Sequence, residues 1–374
     1  MRTLITGATG APRPDQVPEG VLELHRAIAG YRSTPLVSLP ALADAWGAGQ
    51  LVAKLETDRW GLPSFKVVGT TWAVVEALRN LLPADWTPAA GLAGLRGRLP
   101  RVTLIAASEG NHGEALAFVA RLLGLPCRIY VSGEVADGVV ARIRAQQADI
   151  AHVAGTYDDA VAASSAAASA EAILVSDTSW PGYERIPRAV AHGYSTILRE
   201  VQTQLAETTR PDPDLVIVPV GVGALASAVV DHFAARSAPR PQIVGVEPCA
   251  AACVTASLAA DRPISVPGPL ASSLSGLNCG TPSLIAWPAL RGGLAGTVTL
   301  DDTEAGHGAK IAEREGLRVG PCSGGVLAAA HLLLGGPDGA AHRTLLGLGE
   351  RPSVLLILSD GRPDPDHRKE PGRD

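Results

Sequence analysis

The sequence predicts a two-domain, three-layer α/β/α fold with mostly parallel sheets. Three observations lead there. Segments such as VTLIAA (102–107), LVIVPV (215–220) and SVLLILS (353–359) are apolar throughout rather than alternating, the mark of strands covered on both faces. They alternate with helical segments, which parallel pairing requires. The 374 residues suggest two domains, or one large α/β unit.

Taken in order, residues 1–30 read as irregular with one short helical piece, and Thr34-Pro35-Leu36 leads into an extended segment and a short helix. LVAKLE (51–56) reads as a strand, and a helix follows from Lys66 to about Leu82, with Val67, Val68, Trp72, Val75 and Leu78 on its apolar side. The Pro-, Gly- and Ala-rich stretch 83–100 reads as a connection. Strands at 102–107, 127–131, 150–153 and 173–176 then alternate with helices at 113–124, 137–147 and 157–172. A long helix runs from about Pro187 to Glu207. After it come strands at 215–220, 242–247 and 353–359, and helices at 224–236, near 249–260, at 301–316 and at 323–335.

Composition narrows the function. The formal charge of −5 offers no nucleic-acid surface. No apolar run approaches the ~20 residues that span a bilayer. The N-terminus is too weakly apolar for a signal peptide. The five cysteines form no CxxC pair, so reduced thiols in a cytoplasm are expected, with neither a disulfide framework nor a zinc site. His192, His232, His307, His331 and His342 are scattered and suggest no metal cluster. Asp301, Asp302 and Glu304 read as acids complementing a helix dipole.

Of 32 basic residues only four are lysine: Lys54, Lys66, Lys310 and Lys369. Arginine serves wherever a solvated positive charge suffices, but it cannot do the chemistry of a primary amine. Lys66, at the start of its helix, is therefore a candidate for Schiff-base chemistry with a carbonyl, against the alternative of chance retention. Three stretches follow a strand and are expected to open a helix, where α/β sheets bind ligands: SEGNHG (108–113), GVGALAS (221–227) and SDGRPD (359–364). GVGALAS suits a phosphate at a helix N-terminus, although alone it is equally a tight turn. It lacks the full GxGxxG spacing and a Walker lysine. Together, an amine, an Asn loop, a phosphate-sized glycine turn and a late serine suit an aldehyde cofactor with a phosphate and a ring nitrogen, pyridoxal 5′-phosphate (PLP).

With these motifs the chain resembles the tryptophan-synthase-β superfamily of PLP enzymes, fold type II, and within it is most similar to the diaminopropionate ammonia-lyases. The resemblance runs from Tyr31 to about Pro365 and implies a large domain (1–98 and 199–374) and a small one (99–198). It rests on YRSTPL, KLETDRWGLPSFKVVG, SEGNHG, SDTSWPGYERIP, GVGALAS, VGVEP, SGLNCGTPS and LLILSDGRPD. It implies that Lys66 carries the cofactor as a Schiff base and that Asn111 bonds its 3-hydroxyl. It further implies that the amides of Gly221, Val222, Gly223 and Ala224 hold the phosphate and that Ser359 faces the pyridine nitrogen, with Ser323 of CSGG a rival. Ser108 and His112 would lie in the loop that grips the substrate carboxylate. Asp177 would bind a distal amine or assist proton transfer. Glu247 of VGVEP is left between the cofactor face and a strand end. Glu109 stands where the ammonia-lyases carry aspartate, in DGNHG, and is expected to exchange a proton with the substrate Cα on the face opposite Lys66. For Asn111, Asp177, Ser359 and Glu109 the alternatives are a loop former, a turn cap, a turn residue and a solvated helix-start carboxylate.

The implied activity is elimination of the β-amine of a 2,3-diaminopropionate-like amino acid through an aminoacrylate to pyruvate and ammonia, in a cytoplasmic homodimer acting on a small amino acid. A β-replacement synthase shares every step to the aminoacrylate. A non-catalytic ligand-binding module would have no use for Lys66. A nucleotide-binding Rossmann domain would need a ribose-binding acid that the sequence does not place.

Overall fold

The structure is a computed structural model and describes residues 5–6, 14–133, 135–237 and 239–362. It has two sheets. The larger is built from β1 (Ile5–Thr6), β2 (Leu36–Ser38), β3 (Gln50–Leu55), β8 (Leu215–Pro219), β9 (Gln242–Pro248), β10 (Gly296–Leu300) and β11 (Ser353–Leu358), in the order β1-β10-β9-β8-β11-β3-β2. The smaller comprises β4 (Thr103–Ala107), β5 (Cys127–Ser132), β6 (Asp149–Val153) and β7 (Ala172–Leu174), in the order β6-β5-β4-β7. All pairings are parallel except the outer β1–β10 and β2–β3 pairs. β8 and β11 are buried at every position, which is why they read as unbroken apolar runs. Among the described residues no helix is long and apolar enough to cross a membrane.

Several boundaries differ from those read in the sequence. The Lys66 helix ends at Ala77, and a 3₁₀ turn at Arg79–Leu81 replaces its last turn. The helix expected over 157–172 stops at Ala166, because the Ser169 hydroxyl accepts the amides of Glu171 and Ala172 and turns the chain into β7. The helix expected at 113 begins at Asn111. β10, sequence GTVTL, was not anticipated. It is a short, threonine-containing segment that becomes a strand by pairing with β9, and it is buried throughout. Helix starts follow the expected chemistry: Asp301–Glu304 and Thr156–Asp159 are both reciprocal capping boxes.

Two helices set the position of Lys66. The Lys66–Ala77 helix lies against the long Arg185–Glu207 helix with their backbones in near contact at Gly69 and Gly193. A Cβ on Gly193 would stand 2.6 Å from Gly69 Cα, and one on Gly69 would stand 2.4 Å from the Tyr194 ring. Any larger residue at either site would push the helices apart. Beneath them, Lys54 of β3, Glu56 and Arg59 form a buried ionic cluster with Glu200 of the long helix.

Candidate active site

Strand order assembles the site. At the C-terminal ends of the neighbouring strands β8, β11 and β3 the chain delivers, in turn, the glycine loop 221–223, Ser359 and the segment leading to Lys66. The last two are stitched together: the Phe65 amide donates to the Ser359 carbonyl at 3.3 Å, and Ser64 bridges Asp360. Across from them, the ends of β6, β5, β4 and β7 deliver Tyr157, Ser132, the Glu109–Asn111 loop and Asp177.

One ion pair spans the two sets. Lys66 Nζ lies 2.6 Å from Asp177 Oδ2, with the side chains 23% and 13% exposed, so the pair can be reached from solvent. Burial disfavours both charges, yet each is held charged. Asp177 lifts the Lys66 ammonium well above the usual lysine range, and His112 and Lys66 drive the Asp177 carboxyl well below the usual carboxylate range. Asp177 is placed by its motif. Trp180 and Tyr183 stack at 4.5 Å across a turn at Gly182 (φ 87°). The Tyr183 hydroxyl accepts the Ser176 amide at 3.0 Å and donates to the Leu174 carbonyl at 2.9 Å, clamping the loop on either side.

The glycine loop fits an anion. The amides of Gly221, Gly223 and Ala224 have no acceptor among the described residues, and Ala224 begins a helix whose first amides face the loop. Gly223 has φ 96°, and a Cβ there would stand 2.4 Å from Leu290 Cδ1. Cys279 closes the loop, its Sγ 3.1 Å from where a Gly221 Cβ would be, and burial pushes this thiol up to about 11.

The remaining expected residues separate. The Asn111 side chain, on the first turn of its helix, has no partner among the described residues. Ser359 Oγ likewise has none, whereas Ser323 Oγ is committed to Asp360 through bonds of 2.7, 2.9 and 2.9 Å. Glu247 is a helix cap and not a face of the site: it accepts the amides of Val254 and Thr255 and the Thr255 hydroxyl at 2.6–2.8 Å, and burial pushes its carboxyl up to about 7. Ser108 and His112 are buried and committed within the fold. Ser108 Oγ accepts the Gly113 amide at 2.8 Å, and His112 Nε2 lies 2.7 Å from the Val175 carbonyl. Their side chains therefore shape the loop and leave Asn111 and backbone to face the cleft. Glu109 is exposed at the rim and takes a hydrogen bond from Ser132.

Tyr157, Ser132 and Cys279 were missed in the sequence. Tyr157 lies close enough to Asp177, Cys279, Lys66 and Glu109 to feel their charges, and burial raises its phenol far above the ordinary range, so it stays a neutral donor. Only tertiary pairing brings these three to the cleft, although Cys279 lies within a motif that carries the resemblance. A cavity of about 780 Å³ lies elsewhere, bordered by residues 14–19, and includes neither Lys66 nor Gly223. Here chemistry marks the site and volume does not.

The arrangement of amine, free amides and unpartnered hydroxyl matches PLP, and comparison with known proteins agrees. Residues 28–346 match the model of the family described as pyridoxal-phosphate dependent enzyme. The chain belongs to that family. It has fold type II, its cofactor is PLP, and it is an eliminating enzyme of the ammonia-lyase kind. It is 32% identical to diaminopropionate ammonia-lyase of Salmonella typhimurium, over 96% of this chain and 93% of that one. The crystal structure of the Escherichia coli diaminopropionate ammonia-lyase in complex with D-serine superposes with a TM-score of 0.88 at 25% identity, covering 98% of this chain and 95% of the other. The same enzyme in complex with an aminoacrylate–PLP azomethine reaction intermediate gives 0.87. Maize serine racemase, 21% identical with a TM-score of 0.74, shares the fold.

Proposed function

We propose that this enzyme removes the β-amino group of 2,3-diaminopropionate or a close analogue, consuming one water and releasing pyruvate and two molecules of ammonia. The observation that carries the reading is the Lys66–Asp177 pair, an amine and a carboxylate facing each other across the two sheets within a solvent-reachable cleft. Bound PLP supplies an electron sink for the pair left when a substrate loses its Cα proton.

Lys66 would hold the cofactor through its amine. The amides of Gly221, Val222, Gly223 and Ala224 would hold its phosphate, Asn111 its 3-hydroxyl, and Ser359 its ring nitrogen. An amine attacks a carbonyl only after losing its proton, and Asp177 Oδ2 at 2.6 Å holds that proton on Lys66 until the ion pair opens. With substrate present, the Asp177 carboxylate suits a distal ammonium and keeps that group protonated, so that it departs as neutral ammonia. Lys66 and Glu109 would work opposite faces of Cα, one for each enantiomer. Ser108 and His112 keep the intervening loop in shape. The homodimer, the cytoplasmic location and the division into domains at 99–198 belong to the same reading; the location rests on the five cysteines without a CxxC pair, and the other two on the family resemblance.

The test is direct. Purified protein given PLP should turn yellow, with a band near about 400 nm that disappears on borohydride reduction and leaves the label on Lys66. It should then convert diaminopropionate to pyruvate and ammonia. A colourless protein that takes up no PLP overturns the assignment of Lys66. A yellow protein that forms no pyruvate overturns the substrate.

A further inference from the structure

We propose that Ser132 is a positioning residue that aims the Glu109 carboxylate into the cleft. The sheet builds this contact. β4 and β5 pair in parallel register with Ala107 opposite Tyr130, and the ladder continues as the Ser108 amide donates to the Tyr130 carbonyl at 3.0 Å. Two residues further along each chain, that register sets position 109 beside position 132. Ser132 is 1% exposed and pinned on its other side by pairing with Val153 of β6. Its hydroxyl donates to Glu109 Oε1.

The two partners differ in freedom. Glu109 sits exposed on a turn, with several rotatable bonds between backbone and carboxylate. Ser132 has one short side chain on a strand buried between two neighbours. A fixed donor holding one oxygen leaves the other, Oε2, as the atom that can take or return a proton at a defined place. Without it the carboxylate would spread over several rotamers, and a misplacement of about 1 Å costs on the order of 100-fold where proton transfer is geometrically tight.

The inference rests on the lyase reading, and the experiment separates the two. Ser132→Ala, Ser132→Thr, Glu109→Gln and the Ser132→Ala/Glu109→Gln pair are assayed with each enantiomer of 2,3-diaminopropionate. Ser132→Ala should lower kcat about 10- to 100-fold for one enantiomer, leave its KM within a few-fold, and spare the other enantiomer. Ser132→Thr, which keeps a hydroxyl, should restore much of the loss. In the Glu109→Gln background, Ser132→Ala should cost nothing further, because the residue acts only through that carboxylate. Equal turnover of both enantiomers by wild type and Ser132→Ala, or a full additional loss in the double variant, overturns the proposal. A crystal structure of the Ser132→Ala apoprotein decides independently of turnover: a displaced or multiply oriented Glu109 carboxylate supports positioning, and an unmoved one refutes it. If wild type turns over neither enantiomer, the substrate reading fails, and the crystallographic result still settles Ser132.

Discussion

Lys54 and Lys66 lie twelve residues apart, both rare lysines in an arginine-dominated chain, and they sit in opposite environments. Lys54 is wholly buried. Its ammonium makes three bonds, to the Thr34 carbonyl at 2.8 Å, Glu200 Oε2 at 2.7 Å and Gln204 Oε1 at 3.0 Å. Every proton is used, and the surrounding charges balance, with Lys54 and Arg59 against Glu56 and Glu200. Burial lowers its pKa, but no ligand can reach it. Lys66 has one carboxylate partner and is nearly a quarter exposed. Rarity in the sequence flags both residues. What separates a structural lysine from a reactive one is whether its hydrogen-bonding capacity is exhausted by the fold.

The sharpest way to break this comparison is to remove each amine in turn. Lys66→Ala should lower turnover by at least about 10³-fold while the melting temperature hardly falls. Lys54→Met leaves one excess negative charge in the buried cluster and should cost about 3–5 kcal/mol of stability. Whatever remains folded should keep near-normal kcat. Denaturant melts and steady-state kinetics on both variants check the crossover; a Lys54→Met protein that is stable but inactive would place Lys54 in the chemistry.

Next in size is the phosphate loop. Gly223→Asp places a side chain where φ is 96° and Leu290 already stands, and it adds a negative charge beside the phosphate. PLP affinity should fall by on the order of 100-fold or more, since about 3 kcal/mol of anion repulsion and displacement is involved. A folded variant with unchanged affinity, read by absorbance titration, would move the phosphate elsewhere.

The smallest effect, taken per pH unit, concerns the interior beside the Lys54–Arg59–Glu200 cluster. His25 is fully buried, with Nδ1 2.7 Å from Thr196 Oγ1, and burial followed by the Arg59 charge lowers its pKa to about 3. Its folded value lies below the unfolded one, so the native state refuses a proton that the unfolded chain accepts. Stability is therefore complete above about pH 6.5 and is lost as pH falls from there toward about 3. In that window His25→Gln should show a slope of stability against pH shallower by about 1.4 kcal/mol per pH unit. Equal slopes would mean that His25 is protonated in the folded protein.

Much of the fold is legible in the sequence because it depends on local rules. Continuous apolar runs announce strands covered on both faces. Gly223 announces a left-handed turn before a helix, and Asp301 with Glu304 announces a helix start. The Lys66 helix, the glycine loop and the Asp177 motif follow from residues close together in the chain, so their chemistry could be read there. The reading failed where a distant partner decides. GTVTL carries no periodicity long enough to mark a strand and becomes β10 only beside β9. Glu247 could have faced the cofactor, until three donors from the next helix used its oxygens. Ser359 reads as the partner of the ring nitrogen with Ser323 a rival, and only the fold shows that the buried Asp360 carboxylate occupies Ser323.

By itself, then, the sequence determined the α/β layering, the likeness to PLP enzymes and the residues able to do amine and phosphate chemistry, because these depend on residue type and short spacing. Tertiary structure alone decided which lysine is spent on the core and which faces a cleft, and it set Ser132 beside Glu109 and Tyr157 near Asp177. Those outcomes depend on strand order and register, set by burial summed over whole sheets, and no local stretch of the chain carries that sum.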